Sequence, residues 1–167
     1  MRALFTFACC LAVVGCGNGG PLSPNVVENF TRLGGCVDVI FYAVDAQDRL
    51  MLRFRADGLV NEAQSAGEET VTTFQLPSTE AELILEQGTN VSDATCDDAI
   101  EGDGPQVARS WTAVAGTATV HVRPEPDAGG ARADLLLEGV LLESATGDEV
   151  PLSRLEWSDI HVGWYPG

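Results

Sequence analysis

This sequence contains no lysine; its nine basic residues, all arginine, stand against 25 acidic ones, for a net charge of −16. A surface of that sign repels nucleic-acid phosphates and anionic lipid headgroups, which argues against any polyanion-binding role. Only two histidines occur, His121 and His161, and no short-range ligand motif joins them. No apolar run reaches the roughly 20 residues that a membrane-spanning helix needs. There is no Gly-x-Ser-x-Gly elbow and no phosphate-binding glycine loop, so neither elbow-type hydrolysis nor P-loop chemistry has a carrier. A pair of acids defined only by its separation in space, as in glycosidases, is the catalytic arrangement that spacing along the chain leaves open.

What is present begins with Arg2, an apolar stretch over 3–14, and the small residue Gly15 before Cys16. Together these have the parts of an export signal. The segment Leu11-Ala12-Val13-Val14-Gly15-Cys16 resembles the lipobox of bacterial lipoprotein precursors, a resemblance that covers residues 1–16 and no more. It implies that 1–15 form a signal peptide, that Cys9 and Cys10 leave with it, and that Cys16 carries a diacylglycerol thioether and an amide-linked acyl chain. Several chains anchor stably, since each buried methylene contributes about 0.8 kcal/mol and one chain alone holds only marginally. Gly17, standing where an inner-membrane retention Asp would be, implies transfer to the outer membrane of the cell envelope. Residues 16–25, rich in Gly, Pro, Ser and Asn, then read as the lipidated cysteine and a flexible tether.

The remaining 26–167 suffice for one domain with a proper core. Removal of 1–15 leaves eight arginines and 25 acids, a charge of −17. Cys36 and Cys96 are the two cysteines beyond the anchor, and an even pair in an oxidising compartment is expected to form a disulfide. Apolar residues alternate with polar ones through Val37, Val39 and Phe41 and again through Leu50, Leu52 and Phe54, the period of half-buried strands. The intervening Asp45-Ala46-Gln47-Asp48 has the length of a hairpin turn. Further strands are expected over 70–76, 81–86, 107–113, 117–123, 131–142 and 155–164. A capping box at Thr79-Glu80-Ala81-Glu82 offers a short helix as an alternative there, and 26–33 suits a helical turn or two. About eight strands with prolines between them predict an all-β fold, a single antiparallel β-sandwich with an open β-barrel as the alternative.

Four constellations carry candidate chemistry. Asp97, Asp98, Glu101 and Asp103, with Gly102 and Gly104, form an acidic loop able to wrap a hard cation such as calcium through oxygen ligands, against the plainer reading of a solvated loop. Trp157, Asp159 and His161 occupy alternate positions near the C-terminus and, with His121 on another strand, form a candidate ligand surface, including a zinc reading if the two faces coincide. Arg49, Arg53 and Arg55 fall on one strand face, where pairing with acids on neighbouring strands is the ordinary role. Of the aromatic residues Trp111, Trp157, Trp164 and Tyr165, Trp157 is the one expected to be exposed, because Ile160, Val162 and Trp164 mark the opposite face as apolar. The expected function is a lipid-anchored, non-catalytic envelope module that binds a protein or a glycan; a calcium-dependent binding module and a small carboxylate-dependent hydrolase are the alternatives.

Overall fold

A computed structural model describes residues 22, 25–93, 95–96, 103–125 and 129–163. A 3-10 turn, Val26–Asn29, leads into β1 (Phe30–Cys36), β2 (Ile40–Asp45), β3 (Leu50–Ala56), helix α1 (Leu59–Ala66), β4 (Thr70–Gln75), β5 (Ala81–Thr89), β6 (Gln106–Glu125), β7 (Gly130–Ser144) and β8 (Glu149–Gly163). All eight strands belong to one antiparallel sheet in the order β1-β2-β3-β5-β6-β7-β8, with β4 paired to β6 alone. The all-β fold expected from the alternation is therefore present. The sheet curls until its ends meet at one bridge, where the Gly163 N–H donates to the Val37 carbonyl at 2.6 Å. Antiparallel pairing at every step along the seven-strand path leaves the end strands running the same way. A full closing ladder between β1 and β8 would therefore have to be parallel, whereas the one bridge formed is antiparallel and made by Val37 just beyond β1; the result is a nearly closed, barrel-like sheet.

The β2–β3 hairpin forms as its sequence predicts. The Asp45 carboxylate accepts the N–H groups of Arg49 and Leu50 at 2.7 and 3.1 Å, and Val44 pairs with Met51 across the turn. Phe41 from β2, Phe54 from β3, Phe74 from β4 and Trp157 from β8 then meet inside, with ring centroids 6.1 to 6.4 Å apart. These rings knit the two halves of the curled sheet into one core.

The long strands β6, β7 and β8 wall both halves, and each changes the parity of its buried face part-way along. In β6 the buried residues run Trp111, Ala113, then Ala118, Val120 and Val122; in β7 they run Leu135, Leu137, then Val140 and Leu142. The switch falls at exposed positions, Val114 and Ala115 in β6, Glu138 and Gly139 in β7, Ser153 and Arg154 in β8. Two opposite register shifts flank Ala115 and cancel, so β6 and β7 return to the same register beyond the bend. Gly116 makes this corner feasible: at φ 114° its absent Cβ would lie 2.6 Å from the Val140 Cα.

Helix α1 is not legible as an expected element. Its N-terminal N–H groups at Gly58 and Val60 donate to the Asp38 carboxylate, from the distant β1–β2 turn, in place of a local cap. Leu59, Val60 and Ala63 point into the core, and Gly67, left-handed at φ 67°, ends the helix. Other expectations are corrected. Ala81 opens β5 as the strand reading expects, with 79–80 a bend ahead of it, so the alternative helix does not form there; of 26–33, the first four residues make one 3-10 turn and the last four belong to β1. The two segments 107–113 and 117–123 are one bent strand. Pro151 lies inside β8, opposite Leu141; this stretch of β8 is a sheet edge, where a missing N–H costs no ladder bond. Leu22, within the expected tether, already packs half-buried against the core.

Cys36 and Cys96 are joined, their Cα atoms 5.6 Å apart. The bond ties the end of β1 to the segment after β5, which folds over the outer side of the β2–β3 hairpin. Val91 from that segment buries Val44 and Met51 in a second small apolar cluster. Chain-entropy reasoning gives a crosslink over a loop of this length about 4 kcal/mol of stability. The double variant Cys36→Ser, Cys96→Ser should lose most of that in equilibrium urea unfolding and should expose Met51 to mild peroxide oxidation, while unchanged stability would show that the crosslink is dispensable.

Candidate functional site

Three of the four residues of the expected ligand surface, His121, Asp159 and His161, do share one face, the outer side of β6, β7 and β8. Trp157 does not join them: it is 5% exposed and packs on Phe41. The reason is a β-bulge. Ala133 pairs with Ile160 but Leu135 pairs with Trp157, so β8 holds an extra residue opposite Asp134. Uninterrupted alternation would put Trp157 opposite the Ile160 and Val162 face; the added residue returns all three to the inside.

The bulge is fixed by polar contacts. Asp159 takes a left-handed φ of 58°, a conformation that Asp tolerates better than most residues. Its N–H donates to the Asp134 carboxylate at 2.7 Å. Arg123 grips the same carboxylate with two bonds of 2.5 and 2.9 Å. Arg132 donates to the Asp159 carbonyl at 3.1 Å and to Glu125 at 3.3 Å, and His161 lies 3.9 Å from the other Glu125 oxygen. At the β4 side His121 meets Glu69 at 2.9 Å. A continuous polar band thus runs from the start of β4 across β6 and β7 to β8, with the Asp159 side chain 73% exposed at its crest.

The band is arranged for hydrogen bonding and against cation capture. His121 sits on β6 and His161 on β8, two strands apart, which places their backbones about 10 Å from each other. Arg123 and Arg132 stand between them, and a guanidinium repels a metal ion. Among the described residues no group of three His, Cys, Asp or Glu side chains converges as metal ligands. Of the acidic loop, Asp97, Asp98 and Glu101 lie outside the described residues. Asp103 is exposed, its backbone carbonyl accepting from Gln106 at 3.1 Å.

Of the arginine stripe, Arg53 approaches Glu86 at 3.9 Å across the β3–β5 pair and Arg55 bonds Asp57 at 3.1 Å. Arg53 thus makes the cross-strand pairing expected of the stripe, whereas the Arg55 partner is local and Arg49 has no described carboxylate partner. Trp111 is buried under the Arg109 guanidinium, 4.6 Å from its ring, and Trp164 and Tyr165 lie outside the described residues. Asp134 and Arg123, which the sequence gives no reason to single out, are the centre of the band. Their only signal is a place on the outward-facing register of β6 and β7.

Comparison with protein-family models, with curated proteins and with solved structures finds no match. The site must speak for itself.

The Arg123 guanidinium, hydrogen-bonded to Asp134, holds that carboxyl below the ordinary carboxylate range; partial burial opposes the shift and the Asp159 N–H supports it. A depressed folded pKa gives stability that is fully present above the unfolded value, about 4, and is lost as pH falls through the depressed one. Asp134→Asn keeps an acceptor for the Asp159 N–H but removes the charge, so it should cost about 1 kcal/mol at neutral pH in this half-exposed setting. Urea unfolding of both proteins from pH 7 downward should show that gap closing below pH 4; a gap independent of pH would remove the charge from the account.

Proposed function

We propose that this protein is a lipid-anchored interaction domain of the bacterial envelope, held at the outer membrane, which captures an extended segment of another envelope protein without chemical turnover. The anchoring half of this reading rests on the lipobox-like Val13-Val14-Gly15-Cys16, with Cys16 as the acylated residue. The binding half rests on one observation, the free edge of β4.

A sheet edge exposes a row of unpaired N–H and C=O groups, which folded proteins ordinarily blunt with charge, proline or a bulge. Both other long edges carry such devices. The β8 edge has Glu149, Pro151, Arg154 and Glu156, and β1 has Arg32 and a register irregularity between Phe30 and Arg32. The β4 sequence Thr-Val-Thr-Thr-Phe-Gln has none of them, pairs on one side only, and leaves Val71 56% exposed. An extended peptide laid along it would gain main-chain hydrogen bonds for affinity. The polar band begins beside this edge, since Val71 pairs with His121 and Thr73 with Thr119, so side chains of the same ligand would meet Glu69, His121 and Arg123.

Two measurements test the two halves separately. Radiolabelled palmitate should enter the native chain in bacteria and fail to enter Cys16→Ser; no incorporation into the native chain would remove the anchor. A photocrosslinker at Thr73, used in intact envelopes, should give one discrete protein adduct that Val71→Lys, a charge placed on the edge, reduces at least about tenfold, the factor that 1.4 kcal/mol of binding represents. An adduct indifferent to Val71→Lys would exclude strand addition at β4.

A further inference from the structure

Eight arginines lie among the described residues, and seven of them reach an acidic side chain within 4 Å: Arg32, Arg53, Arg55, Arg109, Arg123, Arg132 and Arg154. Arg49 is the exception. In a chain with 25 acidic residues, a cation without an ion pair to any described carboxylate runs against the composition. Its location is specific. Arg49 lines a cavity of about 400 Å³ together with Gln87, Thr89, Gln106, Val107 and Arg109, and among the described residues no acidic one contributes to the lining. The larger cavity, about 530 Å³ around 76–83, has a different character, with Glu80, Glu82 and an Arg55 already held by Asp57.

The floor of the Arg49 cavity is built by strand register. Leu50, Gln87 and Arg109 are successive partners across β3, β5 and β6, so Gln87 and Arg109 share a face. Arg109 is fixed from two sides, by Asp148 at 2.8 Å and by the Trp111 ring beneath it. Gly88 is required where the strands converge, because a Cβ there would lie 1.9 Å from the Gln106 carbonyl oxygen. Within this frame the Gln87 Oε1 atom is buried and accepts no hydrogen bond, which costs stability unless a donor arrives. An exposed guanidinium without a described ion pair and a buried acceptor lacking a donor line the same cavity, and together they suit an anionic group with a hydroxyl close by.

We infer that this cavity binds an acidic sugar of the uronic acid class, its carboxylate gripped by Arg49 and a ring hydroxyl donating to Gln87. A planar guanidinium matches a carboxylate with two parallel bonds. The cavity volume lies within the range of about 300–1,000 Å³ found for small-ligand sites. This site lies on other residues than the β4 edge and the polar band, and it requires neither the anchor nor strand addition.

The test is a titration of the folded, isotopically labelled protein with sodium D-glucuronate, followed by residue-resolved NMR, with D-glucose and sodium acetate as controls. Glucuronate should shift the Gln87 side-chain amide and the Trp111 indole N–H saturably. Acetate should bind at least about tenfold more weakly and glucose should leave both signals in place. Arg49→Gln, an exposed substitution, and Gln87→Leu, which keeps the shape but removes the acceptor, should each weaken binding about tenfold or more, the ratio that 1.4 kcal/mol represents. No saturable shift with glucuronate, an equal response to glucose or acetate, or full binding by Arg49→Gln would overturn the assignment.

Discussion

The fold depends on a line of parity reversals across its three longest strands. A strand presents alternate side chains to opposite faces, so one that walls two halves of a core must change step where it bends. Here β6, β7 and β8 change step together, at Ala115, Glu138–Gly139 and Ser153–Arg154, and the exposed pairs mark the bend. Gly116 permits the close approach to Val140 that keeps the strands in contact through it. Without the reversal, Leu135 and Leu142 could not both be buried, and the rings of Phe41, Phe54, Phe74 and Trp157 would have no common interior.

The same device shapes the outer surface. The β8 bulge turns Trp157 inward and leaves Asp159 projecting, and its left-handed backbone is held by Asp134, which Arg123 keeps ionised. The arginines, scarce in so acidic a chain, are almost all paired with carboxylates, on neighbouring strands or in adjoining turns. That economy gives meaning to the two places where polar capacity is left over, the unblunted β4 edge and the cavity containing Arg49 and Gln87.

Much of this was legible from the sequence and some was not, for identifiable reasons. Alternation located the hairpin, β4, β5 and the long strands, because period-two burial is a local property. The Cys36–Cys96 pairing followed from the count of cysteines. Helix α1 escaped because its cap, Asp38, is supplied from the distant β1–β2 turn and its apolar stripe is only Leu59, Val60 and Ala63. The inward position of Trp157 escaped because a bulge is set by the partner strand, whose Asp134 side chain satisfies the extra amide. The sequence puts Asp159 and His161 on one strand face and makes the sharing of that face with His121 depend on register, which alternation alone does not supply; Arg123 and Asp134, which organise that face, carry no motif at all. Asp97, Asp98 and Glu101 of the acidic loop lie outside the described residues.

If the bent strands unite both halves into one core, those halves should open together. Native-state hydrogen exchange tests this directly: the slowest amides of β2 and β3 on one side, and of the second half of β6 with β7 on the other, should exchange with the same free energy and respond equally to low denaturant. A stable hairpin half persisting while the other half exchanges by an opening several kcal/mol cheaper would contradict the account.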